Sequence, residues 1–113
     1  MSLAIRLQYE PVREVLFSNI TGAYSALGTP VKHQIRMIVF QNFMDQPVMF
    51  SFNGIDDHIP MVANGYMILD ITSNKTIQQG FFLAERQQVY VKQLSAPPTL
   101  GSVYVSVFYG AEV

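Results

Sequence analysis

The tightest cluster of chemistry-bearing side chains in the sequence is Asp56-Asp57-His58, two adjacent carboxylates followed by an imidazole. Such a set can hold a cation or pass a proton between acid and base. Its spacing argues against both. A calcium loop places oxygen ligands at alternate positions over about twelve residues. Consecutive residues of an extended chain point to opposite sides, so these three converge only in an irregular turn. They follow Asn53-Gly54, a strong turn pair, and read as a solvated loop tip where aspartate caps backbone donors. Asp56, Asp57 and His58 stand as the metal-ligand candidates, but the expectation is that no metal and no cofactor is bound.

The other histidine, His33, lies two residues after Val31. With no second ligand at short spacing it reads as a polar residue at a strand end. No glycine-rich phosphate loop, His-Glu-x-x-His pair or Gly-x-Ser-x-Gly elbow occurs. Ser25, Ser51, Ser73, Ser102 and Ser106 have no base nearby in sequence, and two histidines leave little from which to build a triad. No catalytic residue is expected, and the chain does not read as an enzyme.

Aromatic residues are plentiful, with eight Phe and six Tyr but no Trp. Phe43, Phe50, Phe52 and Phe108 each fall in an alternating apolar run and read as core. Tyr66, Tyr90, Tyr104 and Tyr109 read differently, because a tyrosine hydroxyl needs water or a partner and so favours rims and interfaces. Stacking on nucleic acid would need accompanying Lys or Arg, which these tyrosines lack. The six methionines read mainly as packing of irregular gaps.

The elements that must position these residues have a period of two. Over residues 34–43, Ile35, Met37, Val39 and Phe43 fall on one side and Ile38 and Phe40 on the other, which reads as a central strand covered on both faces. Val48, Phe50 and Phe52 share a face after the turn Asp45-Gln46-Pro47. Met67, Leu69 and Ile71 alternate with Tyr66, Ile68 and Asp70 after a second turn at Ala63-Asn64-Gly65. Residues 78–83 (QQGFFL) read as a short strand. Val89 and Val91 alternate with Tyr90 and Lys92. Residues 102–109 alternate most cleanly, with Val103, Val105, Val107 and Tyr109 against Tyr104, Ser106 and Phe108. Residues 12–20 suit either a strand or a short helix as far as Phe17, and 22–30 a small-residue loop. No helical pattern of 10–15 residues alternates with the strands. The expected fold is all-β: an antiparallel β-sandwich, jelly-roll-like, of seven to eight strands.

A length of 113 residues fits one domain, 1–113. Leu3, Ile5 and Leu7 alternate with polar neighbours, so residues 1–10 read as an extended N-terminal arm able to add a strand to a neighbour's sheet. The three apolar residues join Tyr66, Tyr90 and Tyr104 as interface candidates. No cysteine is present, so no disulfide or thiolate site exists. A net charge of -1 offers no basic field for nucleic acid or anionic lipid. No run reaches the roughly 18 apolar residues of a membrane span, and the N-terminus lacks a signal-peptide pattern. Only 13% of residues are charged against 50% hydrophobic, where about 25% charged is usual. That balance points to a surface partly covered by a partner.

Several stretches together resemble small structural proteins of tailed-bacteriophage virions. They are Val39-Phe40-Gln41-Asn42, Asp45-Gln46-Pro47-Val48-Met49-Phe50-Ser51-Phe52-Asn53-Gly54, Asp57-His58 with Pro60, and Ala63-Asn64-Gly65. Leu69-Asp70, Val89-Tyr90-Val91-Lys92 and Gly101-Ser102-Val103-Tyr104-Val105-Ser106-Val107 continue the pattern, which covers roughly residues 35–110. The nearest functional type is the jelly-roll decoration, or cement, protein of the capsid. The resemblance implies a homo-oligomer that binds the major capsid protein or another virion protein. It implies a virion location after assembly in the host cytoplasm, and no catalytic residues. The rival expectations are a tail, fibre or adaptor component, a carbohydrate-binding β module using exposed tyrosines, and an enzyme with a dispersed site.

Overall fold

A computed structural model of the chain describes residues 5–33, 35–70 and 87–112. Leu3 and the expected strand over residues 78–83 lie outside the described residues. The strands are β1 (Ile5–Tyr9), β2 (Arg13–Leu16), β3 (Ser25–Ala26), β4 (Met37–Asn42) and β5 (Val48–Ser51), then β6 (Ile59–Met61), β7 (Tyr66–Asp70), β8 (Tyr90–Gln93) and β9 (Ser102–Glu112). Residues 12–20 resolve as β2 followed by a 3-10 turn at Phe17–Asn19, so the strand reading holds there.

The strands form two antiparallel sheets. Sheet A has the order β1-β9-β4-β7, with β2 also on β9, and sheet B has the order β3-β8-β5-β6. From β2 to β9 the chain changes sheet at every connection except β5 to β6. That is the connectivity of a jelly roll, a double-sheet Greek-key sandwich. The described strands number nine rather than seven or eight for two local reasons. Ser25 and Ala26, in a segment expected as loop, pair with Val91 and Tyr90. One long edge strand is also broken into β1 and β2.

The break is a β-bulge. Tyr9 pairs with Phe108 and Arg13 with Val105, so the edge advances four residues (9 to 13) while β9 advances three (108 to 105). A bulge inserts an unpaired residue and turns the strand locally. Pro11 sits inside it, where a missing N–H costs no ladder bond.

The core lies between the sheets. Ile38 and Phe40 of β4 and Val103, Val105 and Val107 of β9 meet Val48 and Phe50 of β5 and Val91 of β8, all fully buried. Phe40 and Phe50 cross the sandwich with ring centroids 4.9 Å apart. Burying each such side chain contributes about 1.5–3 kcal/mol. The alternation in β4, β7 and β9 thus reports the inner face. On β4 the second apolar side differs: Met37, Val39 and Gln41 are only half-buried, and among the described residues no second core layer lies on that face. Asn42 ends β4 fully buried, donating to the Gln46 and Val62 carbonyls at 3.0 and 3.1 Å and accepting from Met44 N–H at 3.0 Å. This side chain ties two loops to one strand end.

Candidate functional site

Asp56, Asp57 and His58 sit together in the loop after β5 but do not converge. The loop is built by Ser51 and Asn53. The Asn53 side-chain Oδ1 accepts the Ile55 and Asp56 N–H groups, both at 2.9 Å, and Gly54 takes φ +74°. Asp56 then accepts from the Asn53 amide at 2.8 Å, and His58 Nδ1 accepts the Phe52 N–H at 3.0 Å. Asp57 turns toward sheet B, where it accepts from the Tyr24 hydroxyl and pairs with Lys92 Nζ at 3.2 Å. These two donors hold the Asp57 carboxyl below its ordinary value. Desolvation, and then the bond to Asp57, push the Tyr24 hydroxyl up to about 12. Each of the three side chains is occupied by its own partner, and among the described residues no group of His, Asp and Glu is arranged to hold a metal.

A second polar cluster was not legible in the sequence. The bulge puts Glu10 and Arg13 on one side, although residues three apart on a regular strand face opposite ways. Glu10 Oε1 accepts from Arg13 Nη2 at 2.8 Å. Its Oε2 accepts the backbone N–H groups of Lys32 and His33, both at 3.1 Å, and lies 2.8 Å from His33 Nδ1. An ionised carboxylate only accepts, so Nδ1 carries the proton in that contact. The His33 ring stacks on Tyr109 of β9 at 3.6 Å, and Arg13 Nε donates to the Thr29 carbonyl at 2.8 Å. Burial alone would raise the Glu10 carboxyl, but the bonds from Arg13, His33 and the Lys32 backbone outweigh it and hold it below its ordinary value. A groove of about 470 Å³ runs beside this knot between Tyr9, Lys32 and Tyr109. Of its polar lining, Glu10, Arg13 and His33 are turned inward on one another. The cluster fastens the segment before β4 to the sheet edge.

The two outer faces of the sandwich differ. On sheet B the outward residues Met49 and Ser51 are nonetheless buried. The loop over residues 52–58 folds back on Ser51, whose Oγ accepts the Gly54 N–H at 2.9 Å, and Gly54 passes so near the Tyr90 ring that an added Cβ would lie 3.3 Å from it. Lys92 Nζ lies 4.6 Å from the Tyr24 ring centroid on the same face. Among the described residues nothing covers the outer face of sheet A. Register defines three rows across its outer face: Tyr66-Gln41-Tyr104-Glu14, Ile68-Val39-Ser106, and Asp70-Met37-Phe108-Tyr9. Tyr66 and Tyr9 are each 73% exposed and Ile68 54%. Phe43 extends the face, with its ring centroid 5.4 Å from that of Tyr104.

Of the interface candidates, Tyr66 and Tyr104 therefore share one row of the open face, while Tyr90 lies half-buried on the other sheet beneath Gly54. Ile5 and Leu7 are in β1, which pairs with β9 of the same chain, with Leu7 opposite Gly110. Leu3 lies outside the described residues. Sequence reasoning missed Tyr9, Val39 and Ile68. For Val39 the signal was present in the two apolar sides of residues 34–43, read there as a strand covered on both faces. No family model, curated protein or solved structure matches this chain.

Proposed function

We propose that this protein works by assembly, as a structural protein of a tailed-bacteriophage virion, and specifically as a decoration protein seated on the major capsid protein. One observation carries the assembly reading: the loop over residues 52–58 covers part of the outer face of sheet B, whereas among the described residues nothing covers the outer face of sheet A, where Tyr9, Tyr66 and Ile68 are exposed. Contiguous exposed apolar surface on a small domain marks an interaction site. Low total charge fits the same reading, because a surface that is covered needs less charge for solubility. The polar clusters support it too, since Glu10, Arg13 and His33 satisfy one another and Asp56, Asp57 and His58 diverge. Assembly on a symmetric lattice needs a rigid scaffold and repeated modest contacts, which multivalency turns into high avidity. The virion assignment rests on the resemblance of residues 35–110 to small phage structural proteins.

The test is direct. Purified particles from the source phage, analysed by quantitative mass spectrometry and electron microscopy, should contain this chain in a fixed ratio to the capsid protein, as density on the shell surface. Its absence from particles would overturn the virion assignment. Its presence only on the tail would overturn the decoration role.

A further inference from the structure

We propose that Asn64 is a self-modification site, at which the chain converts its own asparagine to aspartate and isoaspartate through a cyclic imide formed with Gly65. This is a statement about the chain alone and stands or falls apart from the virion assignment.

Two Asn-Gly pairs occur, Asn53-Gly54 and Asn64-Gly65. In such a pair the glycine backbone nitrogen can attack the asparagine side-chain carbonyl carbon, because glycine carries no side chain to shield the approach. A bond forms from that nitrogen to Cγ, and the Cγ–Nδ2 bond breaks. The proton released from the glycine N–H leaves with Nδ2 as ammonia. The product is a five-membered succinimide. Water then adds at either ring carbonyl. Opening at Cγ gives aspartate, and opening at the main-chain carbonyl gives isoaspartate. No oxidant, reductant or cofactor is consumed. Asn19 and Asn42 precede Ile20 and Phe43, whose side chains crowd the same approach.

The two Asn-Gly pairs are alike in sequence, and both asparagines are exposed. Hydrogen bonding separates them. Asn53 Oδ1 accepts from the Ser51 hydroxyl at 3.0 Å and from the Ile55 and Asp56 N–H groups, both at 2.9 Å. Its Nδ2 donates to Asp56 at 2.8 Å, and the Gly54 N–H donates to Ser51 Oγ at 2.9 Å. Both reacting groups are therefore held, and the side chain must leave its cap before Cγ can turn to the Gly54 nitrogen. Asn64 differs. It stands at φ +58° in the turn between β6 and β7, and among the described residues its side chain makes no hydrogen bond. The Gly65 N–H donates to the Val62 carbonyl at 3.1 Å, so one bond in an exposed turn must open there.

The turn is also where the modification would be felt. It carries the chain from sheet B to sheet A, and Asn42 holds both of its ends. The Asn42 N–H donates to the Gly65 carbonyl at 2.8 Å, and its Nδ2 donates to the Val62 carbonyl at 3.1 Å. Aspartate keeps the main chain unchanged and tolerates the left-handed conformation. Isoaspartate adds a methylene to the main chain between the two carbonyls that Asn42 grips, and so loosens that tie.

The experiment ages the full chain in mildly alkaline buffer for days to weeks, folded and in parallel in concentrated urea. Peptide mapping by mass spectrometry reads the gain of about 1 Da at each asparagine. In the folded chain Asn64 should convert about tenfold faster than Asn53 or more, because a cap of several hydrogen bonds must open first at Asn53. In urea the two rates should converge, since the cap is gone. Asn64→Gln, whose longer side chain closes a ring far less readily, should lose the fast folded-state conversion. Ion exchange separates the aged forms; the isoaspartate fraction should melt below wild type, and Asn64→Asp should melt with it. An Asn64 that stays unconverted in the folded chain overturns the proposal, as does an Asn53 that keeps pace with it. An isoaspartate fraction that melts with wild type overturns the assigned effect on the Asn42 tie.

Discussion

Replacing Glu10 with Gln should be among the most damaging single-atom changes available to this protein. The carboxylate is buried and meets four donors: Arg13 Nη2, the Lys32 and His33 N–H groups, and the His33 ring. A glutamine side chain offers one acceptor oxygen and one NH2 group. Whichever way the amide turns, its NH2 faces a donor, either Arg13 or the Lys32–His33 pair. Arg13, itself 8% exposed, also loses its carboxylate. Breaking a buried ion pair from one side costs about 3–5 kcal/mol. At about 4 °C per kcal/mol for a domain of this size, the melting temperature should fall by about 12–20 °C. Urea denaturation at pH 7, followed by tyrosine fluorescence or circular dichroism, measures the loss directly. The pH dependence gives a second readout with a fixed sign. The folded carboxyl titrates below its ordinary value of 4.5, so the unfolded chain binds more protons than the folded one in that range. The stability Glu10 contributes is fully present above pH 4.5 and is lost as pH falls through the folded value. The gap between wild type and Glu10→Gln should therefore narrow on acidification below pH 4.5. Adding Arg13→Met to Glu10→Gln should recover part of the loss, since an apolar pair can replace a buried ion pair at little cost. A loss below about 1 kcal/mol, or a gap that widens on acidification, would refute the buried-knot reasoning.

Three further outcomes follow from the geometry. Gly101 has φ +90°, and a Cβ there would lie 2.2 Å from the Phe43 carbonyl oxygen; Gly101→Ala should cost at least about 3 kcal/mol or prevent folding, whereas Gly54→Ala, facing the Tyr90 ring at 3.3 Å, should cost about 1–2 kcal/mol in urea titration. Asn42→Ala strands the Gln46 and Val62 carbonyls and the Met44 N–H, so a loss of about 2–4 kcal/mol and faster hydrogen exchange at Met44 are expected. Ultraviolet titration should show one tyrosine ionising near 12, absent in Tyr24→Phe. Because that folded value is raised, the stability it gives is present below pH 10 and lost as pH rises toward 12.

The sequence by itself determined the inner faces. A strand repeats every two residues, so the alternation of Val103, Val105 and Val107, or of Met67 and Leu69, names the buried side without reference to anything distant. The turns at Asn53-Gly54 and Ala63-Asn64-Gly65 were legible for the same local reason, and the structure places Gly54 and Asn64 at positive φ. At residues 56–58 the turn was legible but its cap was not: the Asn53 side-chain oxygen, rather than an aspartate, accepts the Ile55 and Asp56 N–H groups. Tertiary structure decided the rest, because it depends on which segments meet. Only the pairing of β1 and β2 with β9 shows a bulge at residues 10–12, and only the bulge lets Glu10 reach Arg13 and His33. Only the fold of residues 52–58 back on Ser51 and Tyr90 distinguishes the partly covered outer face of sheet B from that of sheet A. The apolar outer side of residues 37–41 looked like a second core layer in sequence. The register of β7, β4 and β9 makes it the centre of an exposed face, since a local pattern reports that a side chain is apolar but not what, if anything, comes to cover it.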